Sequence, residues 1–349
     1  MVGMLWDRYP AVAENHRARE WLQIQADLGL AHNTVDAYGR SLDCYLWFSA
    51  DRRMDVISAS RSHIAAYVSS LGQDPNSGRA EQGGAARKRV LSNATIQLRL
   101  TAVRLFYDYL VEEGLRLHSP VGRGRYTPGN GFGGHRARGL VPRFKKIPWI
   151  PSDVQWAQVL SVVADLGVRD RLMYALAYDG ALRREELCTL QTGDVDPSAR
   201  LVTIRPEAAK GRIRGRTVCY SEPTSELYVA YLRERRMLSR APGPLFLSLS
   251  RRNRGQPLTI WTWTDVVDRV AQRVGLQHQF TTHTLRHLCL THLARAGWAL
   301  QDLAVFAGHR NLQTTLLYIH LSGRELGPKY AQAMQQIRRW AEQAAEATQ

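Results

Sequence analysis

Apolar positions recur at helical spacing through most of this chain. Val35, Tyr38, Leu42, Tyr45 and Leu46 fall on one face of a helix, with Asn33 or Thr34 placed to cap its first turn. The same period predicts a short helix over 63–71 and a longer one over 95–110, the latter through Ile96, Leu100, Val103, Phe106, Tyr107 and Leu110. Further on, Pro151 and Ser152 open a helix carrying Val154, Trp156, Val159 and Leu160, and another apolar helix spans 169–178. Then the pattern changes. Residues 201–204 and 217–220 are rich in β-formers and flank a turn region, 206–215, which predicts a hairpin with a basic tip. The helical period returns over 224–238, 263–274, 283–295, 300–306 and 313–318. A last amphipathic stretch, Lys329 to Ala345, sets Tyr330, Met334, Ile337, Trp340, Ala341 and Ala344 on one face. The expected fold class is mainly α (α+β): helical in its first half, and mostly helical with a small antiparallel sheet in its second.

One compositional break divides the halves. From Ser119 to Lys146 there is no Asp or Glu, Pro120, Pro128 and Pro142 interrupt the chain, and a Gly-rich patch runs from Gly129 to Gly134. Arg123, Arg125, Arg136, Arg138, Arg143, Lys145 and Lys146 make the stretch strongly basic. No long helix can form there, so 119–149 reads as a basic linker between domains 1–118 and 150–349. A length of 349 residues suits two ordinary cores. Within the first half, residues 72–89 form a polar, Gly-rich loop ending in Arg87, Lys88 and Arg89. Either these meet DNA phosphate or the loop is simply solvated.

Charge narrows the partner. The net charge is +16, from 47 Lys+Arg against 31 Asp+Glu, which favours an anion and nucleic acid above all. No stretch approaches the roughly 18 to 20 unbroken apolar residues of a membrane span, and no apolar signal core opens the chain, so a cytoplasmic protein is expected. With 44% hydrophobic residues a buried core is assured. Cys44, Cys188, Cys219 and Cys289 form no CxxC pair, so neither a zinc cluster nor a disulfide framework is suggested.

Chemistry concentrates near the C-terminus. His283 and Arg286 stand i, i+3 on one helix face and can reach one ligand. A guanidinium matches phosphate geometry bidentately and stays charged at any working pH. A second arginine, Arg183, follows Gly180 after an apolar helix, and Glu186 three residues on can hold it. Taken alone, an arginine is more often a surface charge than a catalyst. His283 and His287 also have the i, i+4 spacing of a zinc-protease helix, but Thr284 stands where that motif needs Glu, and no cofactor or metal is expected.

The ordered set resembles the tyrosine recombinases of the phage-integrase and Xer type, whose signature is an Arg, a hairpin Lys, a His-x-x-Arg, a Gly-His and a Tyr. Here these are Arg183 in GALRREEL, Lys210 in EAAKGRIRGRTV, His283 and Arg286 in HTLRH, His309 in FAGHRNLQTT and Tyr318 in TTLLYIH. The 23 residues from Arg286 to His309, and the nine from there to Tyr318, are as in the simpler members. NTVDAYGRSLDCYLWF and ATIQLRLTAVRLFYDYL resemble two helices of the family's SAM-like core-binding domain. The loop after Leu71 and the linker are long for a minimal member, and no arm-binding domain is expected before residue 11.

The resemblance implies site-specific DNA recombination, by integration or transposition chemistry, through a 3′-phosphotyrosyl intermediate and a Holliday junction. Tyr318 would attack the phosphodiester, Arg183 and Arg286 would balance charge on its oxygens, His283 would assist the phenol's proton transfer, His309 would donate to the phosphate, and Lys210 would protonate the leaving 5′ oxygen. Arg212, Arg214 and Arg216 crowd the same turn and could contact DNA instead. Implied partners are double-stranded DNA bearing recombination sites, a homotetramer built by exchange of the C-terminal helix, and accessory directionality proteins, on the nucleoid. A type IB topoisomerase, or a DNA-binding regulator with a dead site, are the alternatives.

Overall fold

The computed structural model describes residues 6–73, 91–121, 141, 148–208, 215–309, 311–322 and 330–339. The chain divides into two compact units, Met1–Lys146 and Ile147–Gln349. Arg87, Lys88, Arg89, the seven basic residues of the expected linker, Lys210, Arg212 and Arg214 lie outside the described residues.

The first unit holds α1 (Pro10–Glu14), α2 (His16–Asp27), α3 (His32–Asp51), α4 (Arg61–Gln73) and α5 (Asn93–Glu112). Its core is aromatic: Trp21, Tyr45, Tyr67, Phe106 and Tyr107 are fully buried, and the Tyr45 and Tyr107 hydroxyls lie 2.6 Å apart. The short α1 is fixed from α3, where Asp43 Oδ1 accepts from the backbone of Ala11 (2.8 Å) and Val12 (3.2 Å). That carboxylate serves the orphan donors of a helix too short to stand alone. Asn15 caps α2 and Ser92 caps α5 through side-chain oxygens, as their residue types favour. α3 departs from expectation. It starts at His32 after Ala31, with no side-chain cap, so Asn33 and Thr34 lie inside its first turn.

In the second unit, α6 (Asp153–Ala164) begins at Ser152 with the expected chemistry made complete, because Ser152 and Gln155 form a reciprocal capping box. α7 (Val168–Asp179) and α8 (Arg184–Cys188) follow, then β1 (Val195–Asp196), β2 (Leu201–Ile204) and β3 (Arg216–Cys219). These three strands make one antiparallel sheet in the order β1-β2-β3, pairing Val195 with Val202, and Val202 with Val218. Val202, Ile204 and Val218 turn inward as strand alternation requires. Gly215 admits no side chain, since a Cβ there would sit 2.6 Å from the Ile204 carbonyl oxygen.

After the sheet come α9 (Glu222–Leu238), α10 (Ile260–Arg273), α11 (Thr282–Arg295), α12 (Leu300–Ala307) and α13 (Leu312–Ser322). Residues 330–339 form a further helix, α14. α11 is buried on nearly every side, from Leu285 and Leu288 to Leu290 and Thr291. That depth matters, because the polar residues of α11 must then find partners inside the fold.

Candidate active site

Three elements bring arginines to one place. After α7 the chain turns through Ala181, which has a left-handed φ of 46°, and Arg183 then becomes the N-cap of α8. Its Nη1 donates to Glu186 Oε1 at 2.6 Å, while Glu186 Oε2 accepts from its backbone N at 2.9 Å. Glu186 was expected to hold Arg183, and here it holds a second arginine as well. Arg216 donates from both terminal nitrogens to the two Glu186 oxygens, each at 2.8 Å, in a bidentate fork. Glu186 is fully buried. Burial alone would raise its pKa, but the hydrogen bonds and charge of Arg216, with those of Arg183, pull it down to about 2.

This placement corrects the expectation for Arg216 as a DNA contact. Its side chain is 8% exposed, and its Nε donates to the Phe306 carbonyl at 2.8 Å. Strand alternation carried the signal: Arg216 shares a face with Val218, which points to the core.

Arg286, on α11, is 4% exposed. It donates to the carbonyls of Ala181 and Ala307, each at 2.5 Å, and reaches His309 Nε2 at 3.0 Å. An arginine only donates, so Nε2 accepts, the ring's proton sits on Nδ1, and that proton goes to Thr315 Oγ1 at 2.9 Å. Burial, followed by the charges of Arg286, Arg183 and Arg216, lowers His309 to about 3. Donation from Nε2 to a phosphate, as expected of His309, therefore requires a proton that burial and the surrounding arginines disfavour. Burial and the neighbouring Arg183 and Arg216 likewise lower Arg286 to about 10, which leaves it charged at neutral pH.

Gly308 joins α12 to this cluster. It has φ of 63°, its carbonyl accepts from Arg183 Nη2 at 3.2 Å, and a Cβ would press to 3.0 Å from Arg216 Cδ. Both the backbone angle and the approaching side chain demand glycine.

Tyr318 lies on α13 at 2% exposure. Its ring stacks on His309 at 6.0 Å with planes 6° apart, so nucleophile candidate and arginine cluster share one site within one chain. Burial raises its pKa and the charges of Arg286 and Arg183 oppose that rise. Its hydroxyl meets His287 Nδ1 at 2.8 Å. His283, exposed at the start of α11, places its ring 6.3 Å from that of His287. The structure thus brings Arg183, Glu186, Arg286, His309 and Tyr318 together and adds Arg216, His287 and Thr315. A sign of His287 was present in the sequence, since a histidine inside so apolar a helix needs a partner.

Known proteins match at both levels. Residues 153–325 match the Phage integrase family, and residues 20–114 match the Phage integrase N-terminal SAM-like domain. The chain is 27% identical over 321 residues to tyrosine recombinase XerC of Xylella fastidiosa, covering 91% of this chain and 96% of the relative. Tyrosine recombinase XerD of Ralstonia nicotianae is 27% identical over 313 residues, covering 87% and 89%. Among solved structures, XerH bound to its difH substrate aligns with a TM-score of 0.65 and 16% identity, over 93% of this chain and 92% of that one. The Tn1549 transposon integrase bound to transposon end DNA gives 0.63 and 18%, over 90% and 98%. The two family matches, one to the SAM-like unit and one to the unit that carries the arginine cluster, define the class as phage integrase. The chain belongs to the tyrosine recombinases of the phage integrase family, and its activity is site-specific DNA recombination. The topoisomerase and dead-regulator readings gain nothing from these matches.

Proposed function

We propose that Tyr318 attacks a DNA phosphodiester held by Arg183 and Arg286, leaving a 3′-phosphotyrosyl link and a free 5′-hydroxyl that later attacks to rejoin strands through a Holliday junction. One observation carries this reading. Among the described residues the cluster sets three guanidinium groups, those of Arg183, Arg216 and Arg286, against the single carboxylate of Glu186. Two positive charges stay uncompensated in a largely buried site, and a buried charge without a partner is costly.

A phosphodiester brings one negative charge and the pentacoordinate transition state two. The site is therefore matched better to the transition state than to the substrate, which is the condition for rate acceleration. An anion beside His309 also opposes the pressure that keeps its ring neutral, so the ring can gain the proton it needs to donate. His283 stands at the rim of the same site, and Lys210 supplies the proton for the departing 5′ oxygen. Because the covalent link retains the bond energy, religation needs neither a metal nor ATP.

In the same reading, residues 1–118 are a core-binding domain for double-stranded DNA, residues 150–349 are the catalytic domain, and the basic segment 119–149 links them. Arg87, Lys88, Arg89, Arg123, Arg125, Arg136, Arg138, Arg143, Lys145, Lys146, Arg212 and Arg214 would meet phosphate. Four protomers assemble by exchange of the C-terminal helix, on nucleoid DNA in the cytoplasm. Accessory proteins set direction, and the biological outcome is integration, transposition or dimer resolution.

The recombination site can be recovered by binding selection from randomised duplexes and rebuilt as a nicked suicide substrate. Wild-type protein is expected to leave a covalent adduct on a denaturing gel, and Tyr318→Phe none. An adduct in the Tyr318→Phe lane would reject the assignment.

A further inference from the structure

We infer that His287, rather than His283, is the catalytic residue that takes the Tyr318 proton during strand cleavage. The inference rests on Tyr318 being the nucleophile. Its geometric basis is the 2.8 Å contact between His287 Nδ1 and the Tyr318 hydroxyl, with the rings tilted by 34° at 5.7 Å between centroids. Such a distance is within the reach required of a general base. A phenol is a far stronger acid than a neutral imidazole N–H, so the hydroxyl donates, Nδ1 accepts, and the ring's own proton lies on Nε2.

The ring is ready to act. Burial, then the neighbouring His283 and the charge of Arg286, lower His287 to about 4, so it is a free base at neutral pH. The titratable or charged groups around the pair are His283, Arg286 and Cys289 on α11, Tyr318 on α13 and His309 after α12, with Arg183 acting on the phenol. An unassisted tyrosine, with a pKa near ~10, is a poor nucleophile at pH 7. Here burial pushes it higher still, which makes an acceptor at the hydroxyl a requirement.

The step balances. As Tyr318 Oη bonds to phosphorus, its proton passes to His287 Nδ1 and an imidazolium forms. The bond from phosphorus to the 5′ oxygen breaks, and that oxygen takes a proton from a separate acid. On religation the 5′-hydroxyl gives its proton back to that acid as it attacks, the bond from phosphorus to Tyr318 breaks, and His287 returns its own proton to the phenolate. The charge created on the imidazole appears together with the extra negative charge of the phosphorane, so each stabilises the other.

The test compares cleavage of the selected site, nicked as above, with ordinary oxygen or with sulfur at the 5′ bridging position. Sulfur leaves without an acid, so it isolates the nucleophile's side of the reaction. His287→Asn keeps an acceptor oxygen near the place of Nδ1 but cannot take the proton. It is expected to bind DNA normally in a gel shift and to cleave both substrates about 10² to 10⁴ times more slowly. On the sulfur substrate its rate should rise about tenfold per pH unit while the wild-type rate stays flat over the same range. Should the asparagine variant fail to bind, His287→Gln carries the same comparison. A variant rate within about threefold of wild type with a flat profile would overturn the inference, as would rescue by sulfur, or the steep profile appearing in His283→Asn instead. Adduct formation by Tyr318→Phe would remove the nucleophile assignment and this inference together, whereas an inert Tyr318→Phe beside an unaffected His287→Asn removes this inference alone.

Discussion

Glu186 is the residue on which the arginine cluster depends. It receives Arg183 and Arg216 at once with no exposure to water, so neutralising it leaves three buried or half-buried guanidinium groups facing one another. Removing one partner of a buried ion pair typically costs about 3–5 kcal/mol. Glu186→Gln is expected to lose stability in that range, read as a lower urea midpoint, and to slow cleavage because Arg183 loses its support. Much of this site could be read from the sequence: residue types and spacing marked Arg183, Glu186, His283 and Arg286, and the resemblance to the tyrosine recombinases added His309 and Tyr318. Arg216 was misassigned because a basic residue beside a basic turn reads as surface charge, and only the inward face of β3 contradicts that. His287 was weighed only as a metal ligand, since the hydroxyl it meets is 31 residues away and periodicity on one helix says nothing of a neighbouring one.

At the level of elements, helices with a clear apolar period were legible, whatever their length, and those without one were not. α2 buries only Ala18, Trp21 and Leu22 among charged neighbours, and α1 is held by Asp43 from another helix, so neither carries a strong period of its own. β1 has two residues, too few for alternation, and exists through its pairing with β2. The start of α3 was misplaced because a good capping residue nearby does not oblige the helix to use it. For the proposed assembly, α14 is the element to test. Tyr330 is 68% exposed and Ile337 49%, which leaves much of its expected apolar face open in a single protomer. An apolar helix face left uncovered favours a partner surface, and a head-to-tail exchange closes into a ring. Deleting the chain after Arg324 is expected to abolish the synaptic tetramer in sedimentation velocity with site DNA, while monomer binding to DNA persists. A tetramer surviving the deletion would dismiss the exchange.

For the whole molecule, the active site sets how stability responds to acid. His287 and His309 are held neutral, at about 4 and about 3, where an unfolded histidine titrates at 6.5. Below pH 6.5 the unfolded chain therefore binds protons that the folded one refuses, and stability falls until the folded values are passed. Glu186 acts in the same direction lower down, since its folded value of about 2 lies below the ordinary 4.5, and its contribution is lost as pH falls across that window. Urea midpoints are thus expected to drop steadily from pH 7 to 4, and His309→Gln should flatten the part of that slope due to the ring. A rise in midpoint on acidification would contradict the buried neutral state of both histidines.

The shared carboxylate also governs how any scan of this centre must be interpreted. Arg183 and Arg216 hang from one anchor and, with Arg286, grip the main chain from residue 306 to 308. Truncating one of them loosens the others, so single losses will sum to more than the cluster provides, and apportioning the rate among its members calls for double-mutant cycles.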